Sequence, residues 1–316
     1  MRFASIDDRL AYILQESHFT RYTRDKSGTG DDYKSQIAEQ TYVEAVIDDP
    51  KRVILNYRAF ETPMFASLDE IFTQFYSMNP PLSYYYNHNL EKYYKLTLLN
   101  RTEYTYGVRW MEFRQLENLL KLFIERPDTK RGVVSIYTPY DTEPTRKDVP
   151  CTLLYSFLQR HHKLNMFIVF RSHDLAWGFK TDYVLASFTL QFLAKALSLL
   201  THTTIFPGAI RTTDISLHYY PTKLANPLSI VESRYSTKHV LDVFTNTPYG
   251  EFSEMLEDLR VLKGVEETAR AKNIPYAREM LGKLKDPALC DFGRAFINLN
   301  AKERLEEYTT MTFEWK

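Results

Sequence analysis

From Tyr183 to Leu200 the chain is apolar on every side of a helix, interrupted only by Gln191, Lys195 and a few small hydroxyl residues. Such a helix cannot lie on a surface with one face in water; it is enclosed in a core or crosses a membrane. The amide and the ammonium inside the run argue for enclosure. An enclosed helix needs other layers around it, so the chain must build a sizeable layered fold. Hydrophobic residues at 44% and charged residues at 25% supply the side chains for that core.

Those layers are legible in the flanking sequence. Residues 131–137, RGVVSIY, are β-branched and apolar, and residues 153–158 and 163–171 flank Gln159-Arg160-His161-His162 as adjacent strands or a hairpin would. Residues 53–57 and 215–220 also read as strands. Helices are expected at 9–16, 68–76 and 111–125, the last stopped by Pro127, and in the charged tail at 251–263, 276–285 and 297–307. A strand-rich centre with a helical tail makes the fold class α+β. We expect a catalytic domain over residues 1–250 and a helical extension over 251–316 packed on it.

Forty basic and forty acidic residues cancel, so no global field favours nucleic acid or an anionic membrane. An anionic ligand must therefore be held by a local cluster of cations. The N-terminal stretch MRFASIDDRL has no apolar core after its basic residue, unlike a signal peptide. Cys151 and Cys290 are the only cysteines, with no paired metal-ligand spacing, so we expect a reduced, cytoplasmic enzyme without a metal.

Cys151 opens a strand-like run after Pro150, and Arg171-Ser172, Asp174, Gly178 and Asp182 follow it. An isolated cysteine is as often a buried structural thiol as a nucleophile; neighbouring guanidinium groups would favour the thiolate. Cys290 has no such company and reads as structural. Lys130-Arg131, Arg171-Ser172 and the loop Lys26-Ser27-Gly28-Thr29 form a candidate phosphate clamp, although each cation alone reads as a solvated surface charge. Asp182 suits a helix N-cap as well as it suits a base-reading carboxylate. His218 and Tyr220, two apart on a strand, share a face and suit either a sugar hydroxyl or a satisfied core pair.

Together these residues resemble the thymidylate synthase family, which includes the cytidylate hydroxymethylases. The signature is Pro150-Cys151, Arg171-Ser172-x-Asp174, Gly178, Asp182 and His218-x-Tyr220, at the family's spacings. Residues 25–30 look like a variant of the family's phosphate loop, Tyr106-Gly107-x-x-Trp110 resembles its tyrosine-glycine segment, and Lys130-Arg131 its paired arginines. The resemblance implies a large mixed sheet packed by helices and a homodimer acting on a pyrimidine nucleoside monophosphate, with 5,10-methylenetetrahydrofolate as co-substrate. It gives Cys151 the role of nucleophile at C6. Arg171, Ser172 and Lys26 would hold the phosphate, Lys130 and Arg131 would reach the neighbouring subunit's phosphate, and His218 and Tyr220 would bind the sugar. Asp174 and Tyr106 would face folate, and Glu70 would organise proton transfer.

Asp182 departs from the uracil-specific members, which carry asparagine there. A carboxylate accepts from the cytosine amino group, whereas an asparagine donor would face it. The resemblance therefore implies 5-hydroxymethylation of CMP or dCMP, with water closing the reaction. Thr152 in place of histidine, Phe170 in place of glutamine and lysines in place of two arginines also depart from the synthases. A thymidylate synthase acting on dUMP and a non-catalytic nucleotide-binding homologue are the alternatives.

Overall fold

The computed structural model describes residues 1–16, 18–24, 35–55, 57, 68, 71, 106–145, 149–176, 178–221, 224, 227–232 and 240–301. Their centre is one mixed sheet. In chain order its strands are β1 (Arg2–Phe3), β2 (Thr20–Arg24), β3 (Ser35–Ile47), β4 (Val133–Ser135), β5 (Thr152–Arg160), β6 (Lys163–Phe170), β7 (His173–Asp174) and β8 (Phe206–Tyr219). They lie in the order β1-β3-β8-β6-β5-β4, with β2 beside β3 and β7 beside β8. The helices are α1 (Ile6–Glu16), α2 (Tyr106–Glu112), α3 (Gln115–Glu125), α4 (Gly178–Thr201), α5 (Pro227–Glu232), α6 (Phe252–Arg270), α7 (Ile274–Leu281) and α8 (Pro287–Ala301). The α+β class holds.

The β5–β6 hairpin turns on His161 and His162, with φ of 49° and 57°. Two positive φ values give the twist that matches two antiparallel strands across a two-residue loop. β6 and β8 run parallel, which requires a crossover, and the apolar α4 is that crossover. By length and composition α4 could cross a membrane, yet Val184, Ala186, Phe188, Leu190, Ala194 and Ala196 are wholly buried in the core. Inside it, Gln191 donates to Leu241 O at 2.8 Å and Lys195 donates to Thr247 O at 2.7 Å. Both polar groups are satisfied by the chain that wraps α4, as buried polar groups must be. Met255, Leu259 and Leu262 of α6 and Phe292 and Phe296 of α8 join the same apolar core.

Several boundaries differ from expectation. The helix expected at 111–125 is two helices, α2 and α3, because Arg114 takes a left-handed φ of 52° between them. Gln115 then clamps the start of α3 to the edge strand, donating to Ser135 O at 2.8 Å and accepting Ser135 N–H at 2.9 Å. Val53, Ile54, Leu55 and Tyr57 are buried; Tyr57 sits in an isolated β-bridge, and the run lies outside the eight strands of the sheet among the described residues. The helix expected from 297 begins at Pro287, where Asp286 Oδ1 accepts the amides of Ala288 and Leu289 at 3.0 and 3.1 Å. An aspartate cap followed by proline starts a helix. Of the helix expected at 68–76, only Leu68 and Ile71 are described, both helical and buried.

Candidate active site

The carboxyl end of β6, the carboxyl end of β8 and the amino end of β5 meet at one end of the sheet, since Thr152 pairs with Phe170 and Asp174 with His218. Open sheets with parallel strands bind ligands at the strands' carboxyl ends. Cys151, Arg171, Ser172, Asp174, His218 and Tyr220 all lie there.

Cys151 is half-buried and outside any disulfide. Its carbonyl accepts the Arg171 amide at 2.9 Å. The Arg171 guanidinium donates from Nε to Pro150 O at 2.8 Å and from Nη2 to Val149 O at 2.7 Å. On the other side, the Tyr106 hydroxyl accepts the Thr152 amide at 3.2 Å. Tyr106, expected at a folate contact, fixes the backbone directly after Cys151. The Thr152 hydroxyl is buried with no hydrogen-bond partner among the described residues.

Asp174 accepts the Ala176 amide through Oδ1 at 2.8 Å. His218 is buried, and that burial pulls its imidazole below the usual histidine range against the opposing pull of Asp174. Its ring meets Tyr220 edge-on, with centroids 5.6 Å apart, so the expected pair does share a side. Ser172 is half-buried.

Asp182 is no cap. α4 starts at Gly178, so Asp182 sits one turn inside the helix with its side chain 14% exposed. Its Oδ2 faces His173 Nε2 at 3.6 Å. A Cβ on Gly178 would approach Asp182 Oδ2 to 3.0 Å, so glycine there leaves the carboxyl its room. Behind it, His173 Nδ1 lies 2.6 Å from Asp214 Oδ1, and the imidazole stacks on Phe170 with centroids 4.0 Å apart. Asp214 is ion-paired with the wholly buried Arg9, whose guanidinium lies over the rings of Phe179 and Tyr183 and donates to Thr212 Oγ1 at 3.0 Å.

Burial pushes the Asp182 carboxyl up to about 6; the charge of His173 opposes that shift and the charge of Asp214 adds to it. Asp214 moves the other way: burial opposes its ionisation, but Arg9 and His173 overcome this and hold it below the usual carboxylate range. Two aspartates around one histidine are thus separated by their second neighbours, the arrangement that assigns different proton states to like groups.

The remaining expectations fall elsewhere. Lys130 and Arg131 are exposed on the loop entering the edge strand β4. Lys26 and Glu70 lie outside the described residues. Cys290 is a structural thiol beside Leu284 O at 3.7 Å, pushed up by burial. Sequence reasoning passed over Arg9, His173 and Asp214. His173 lies inside the Arg171–Asp174 motif and was within reach; Arg9 and Asp214 carry no local signal.

A model of the thymidylate synthase family matches residues 69–231, the stretch that carries Cys151, Arg171, Asp182 and His218. The chain belongs to the thymidylate synthase family. A protein of Methanosarcina mazei named "Putative thymidylate synthase" is 30% identical over 179 residues, 54% of this chain and 79% of that protein. The deoxycytidylate 5-hydroxymethyltransferase of Enterobacteria phage T4 is 30% identical over 96 residues, 28% of this chain and 39% of that one. The deoxyuridylate hydroxymethyltransferase of Bacillus phage SP01 is 39% identical over 66 residues, 20% and 17% of the two chains. The protein is therefore a transferase of the thymidylate synthase family, a family whose chemistry is folate-dependent methyl or hydroxymethyl transfer to a pyrimidine nucleotide.

Proposed function

We propose that the protein 5-hydroxymethylates a cytosine nucleotide, CMP or dCMP, using 5,10-methylenetetrahydrofolate. One observation carries this reading: Asp182 is a largely buried carboxyl inside α4, and burial pushes it up to about 6. Such a carboxyl takes up or releases a proton near neutrality. As an acid it donates to cytosine N3 through one oxygen and accepts the N4 amino group through the other. Uracil reverses both partners, so while the proton is kept on the oxygen that faces N3, the buried mismatch discriminates strongly.

In this reading the Cys151 thiolate adds to C6, and C5 becomes nucleophilic. C5 then bonds to the one-carbon unit that the co-substrate supplies. Loss of the C5 proton and release of tetrahydrofolate leave an exocyclic methylene, to which water adds as hydroxide and proton. The thiolate leaves C6, and the net gain is CH2O. Arg171, Ser172 and Lys26 bind the phosphate, His218 and Tyr220 the sugar, and Asp174 and Tyr106 face folate. Glu70 retains the proton-transfer role that the resemblance gives it.

We further infer a homodimer in which Lys130 and Arg131 reach the partner's phosphate. The sheet supports it: Val133, Leu158 and Phe167 on neighbouring strands, and Phe206 at the start of β8, are 46%, 40%, 36% and 51% exposed. Exposed apolar side chains on neighbouring strands favour burial against a partner. The cytoplasm, where thiols stay reduced, suits a catalytic cysteine.

The test is to incubate the protein with methylenetetrahydrofolate and CMP, dCMP, UMP or dUMP separately and to weigh the products by mass spectrometry. A gain of CH2O on one cytosine nucleotide is expected and fixes the sugar. A gain of CH2 on dUMP would make the protein a thymidylate synthase and overturn the reading of Asp182. Nucleotide binding without any product would indicate a non-catalytic homologue.

A further inference from the structure

Behind Asp182 stand three wholly buried groups that the mechanism above does not use: His173, Asp214 and Arg9. Burying an arginine, an aspartate and a histidine is unfavourable unless each is paired. Arg9 and Asp214 pair with each other. Asp214, ionised by that pairing, offers only acceptors, so the His173 Nδ1 at 2.6 Å carries the proton between them. His173 Nε2 is then aimed at Asp182 Oδ2, 3.6 Å away, and has no hydrogen-bond partner of its own among the described residues. A shift of roughly 0.5 Å would bring the two atoms into hydrogen-bonding range. Stacking on Phe170 keeps the ring from turning away.

We propose that His173 is a positioning residue for base recognition: Nε2, oriented by Asp214 and Arg9, shares one proton with Asp182 Oδ2 and sets which form of the carboxyl meets the pyrimidine. The inference rests on the reading of Asp182 as the base-contacting group. Without nucleotide, Nε2–H donates to a carboxylate. When cytosine binds, the proton moves from Nε2 to the carboxyl: the N–H bond breaks, the O–H bond forms, and the imidazolium becomes a neutral imidazole that keeps Nδ1–H on Asp214. The acid O–H then serves cytosine N3, and the other oxygen accepts the N4 amino group. The charged and titratable groups around this pair are Asp214 and His218 from β8, Arg9 from α1, Asp174 from β7 and Tyr183 from α4, whose ring centroid is 6.1 Å from that of His173.

The first arm of the test uses the full-length wild-type protein with 15N-labelled histidine rings, observed by NMR near neutral pH with and without CMP, dCMP, UMP and dUMP. His173→Gln assigns the signal. We expect the favoured cytosine nucleotide to convert His173 to the neutral form protonated on Nδ1. In the second arm, His173→Phe keeps the stacking on Phe170 but has no nitrogen. It should bind cytosine nucleotide only by drawing the proton from solvent, so its affinity should fall roughly tenfold for each pH unit above the point at which Asp182 loses its proton, where the wild type, which carries that proton on His173, stays flat. A His173 signal that ignores bound cytosine nucleotide overturns the inference, and that arm needs no folded variant. So does a folded His173→Phe with wild-type affinity and pH profile. A wild type that binds uracil nucleotides as well as cytosine nucleotides would instead overturn the reading of Asp182 itself.

Discussion

Arg171 grips the segment that leads into Cys151: its guanidinium donates to the carbonyl oxygens of Pro150 at 2.8 Å and Val149 at 2.7 Å. The residue expected to bind phosphate therefore fixes the backbone beside Cys151. Guanidinium has five donors, so two committed to carbonyls leave others for an anion. Arg171→Lys keeps the charge but loses the rigid fork. Its kcat should fall by roughly 100-fold, the scale on which a small displacement of a reacting group acts, along with a raised KM for nucleotide. Steady-state kinetics checks this; a raised KM with unchanged kcat would confine Arg171 to phosphate binding.

Cys151→Ser should lose turnover and keep nucleotide affinity, because the thiolate contributes bond formation more than binding. Calorimetric titration with CMP or dCMP alongside the product assay separates the two. Wild-type turnover in this variant would remove Cys151 from the chemistry.

Asp182→Asn should move the ratio of kcat/KM for cytosine over uracil nucleotides by at least about 100-fold towards uracil, since the amide reverses one hydrogen-bond partner. An unchanged ratio in the four-nucleotide comparison would leave Asp182 without a part in base choice.

The same substitution should alter stability in a pH-dependent way. In the folded protein the Asp182 carboxyl is raised to about 6, so between the ordinary carboxylate range and that value the folded state binds more protons than the unfolded state. Stability from this group is complete below the unfolded pKa and is lost as pH rises through about 6. Asp182→Asn should therefore be more stable than wild type at neutral and alkaline pH, by on the order of 1–3 kcal/mol. The difference should vanish near pH ~4, the ordinary aspartate value. Urea unfolding across pH measures it; a constant difference would contradict the raised carboxyl.

Arg109 and Asp141 make a buried bidentate pair at 2.6 and 2.8 Å, and Arg109 also donates to Ile136 O at 2.7 Å. Burial opposes ionisation of Asp141, but Arg109 and Thr138 hold its carboxyl below the usual range. That contribution is present above the ordinary aspartate pKa and is lost as pH falls through the depressed value. Arg109→Ala takes the guanidinium away from a buried carboxylate and should destabilise by about 3–5 kcal/mol. Denaturant unfolding at neutral pH checks the magnitude, and a loss below about 1 kcal/mol would put the pair among weak surface bridges.

Local pattern alone gives much of this protein. The apolar run at 183–200 required an enclosed helix, and α4 is enclosed; the β-branched segments at 153–158 and 163–171 required paired strands, and they form a hairpin. The spacing of Cys151, Arg171, Asp182 and His218 pointed to one family, and residues 69–231 match its model. These features depend on periodicity, propensity and fixed offsets, which a chain carries in any context. The Asp286-Pro287 helix start was also legible, though the charged pattern drew the expected boundary later. Arg114 gave no warning, because its left-handed backbone is tolerated only through the tertiary clamp of Gln115 on Ser135. The setting of Asp182 belongs wholly to the tertiary structure. Arg9 and Asp214 are 205 residues apart, and they meet only because α1 packs where β8 passes beside β6. Burial then raises one carboxyl and ion pairing lowers the other, a division of proton states that depends on who is buried beside whom and not on the order of residues.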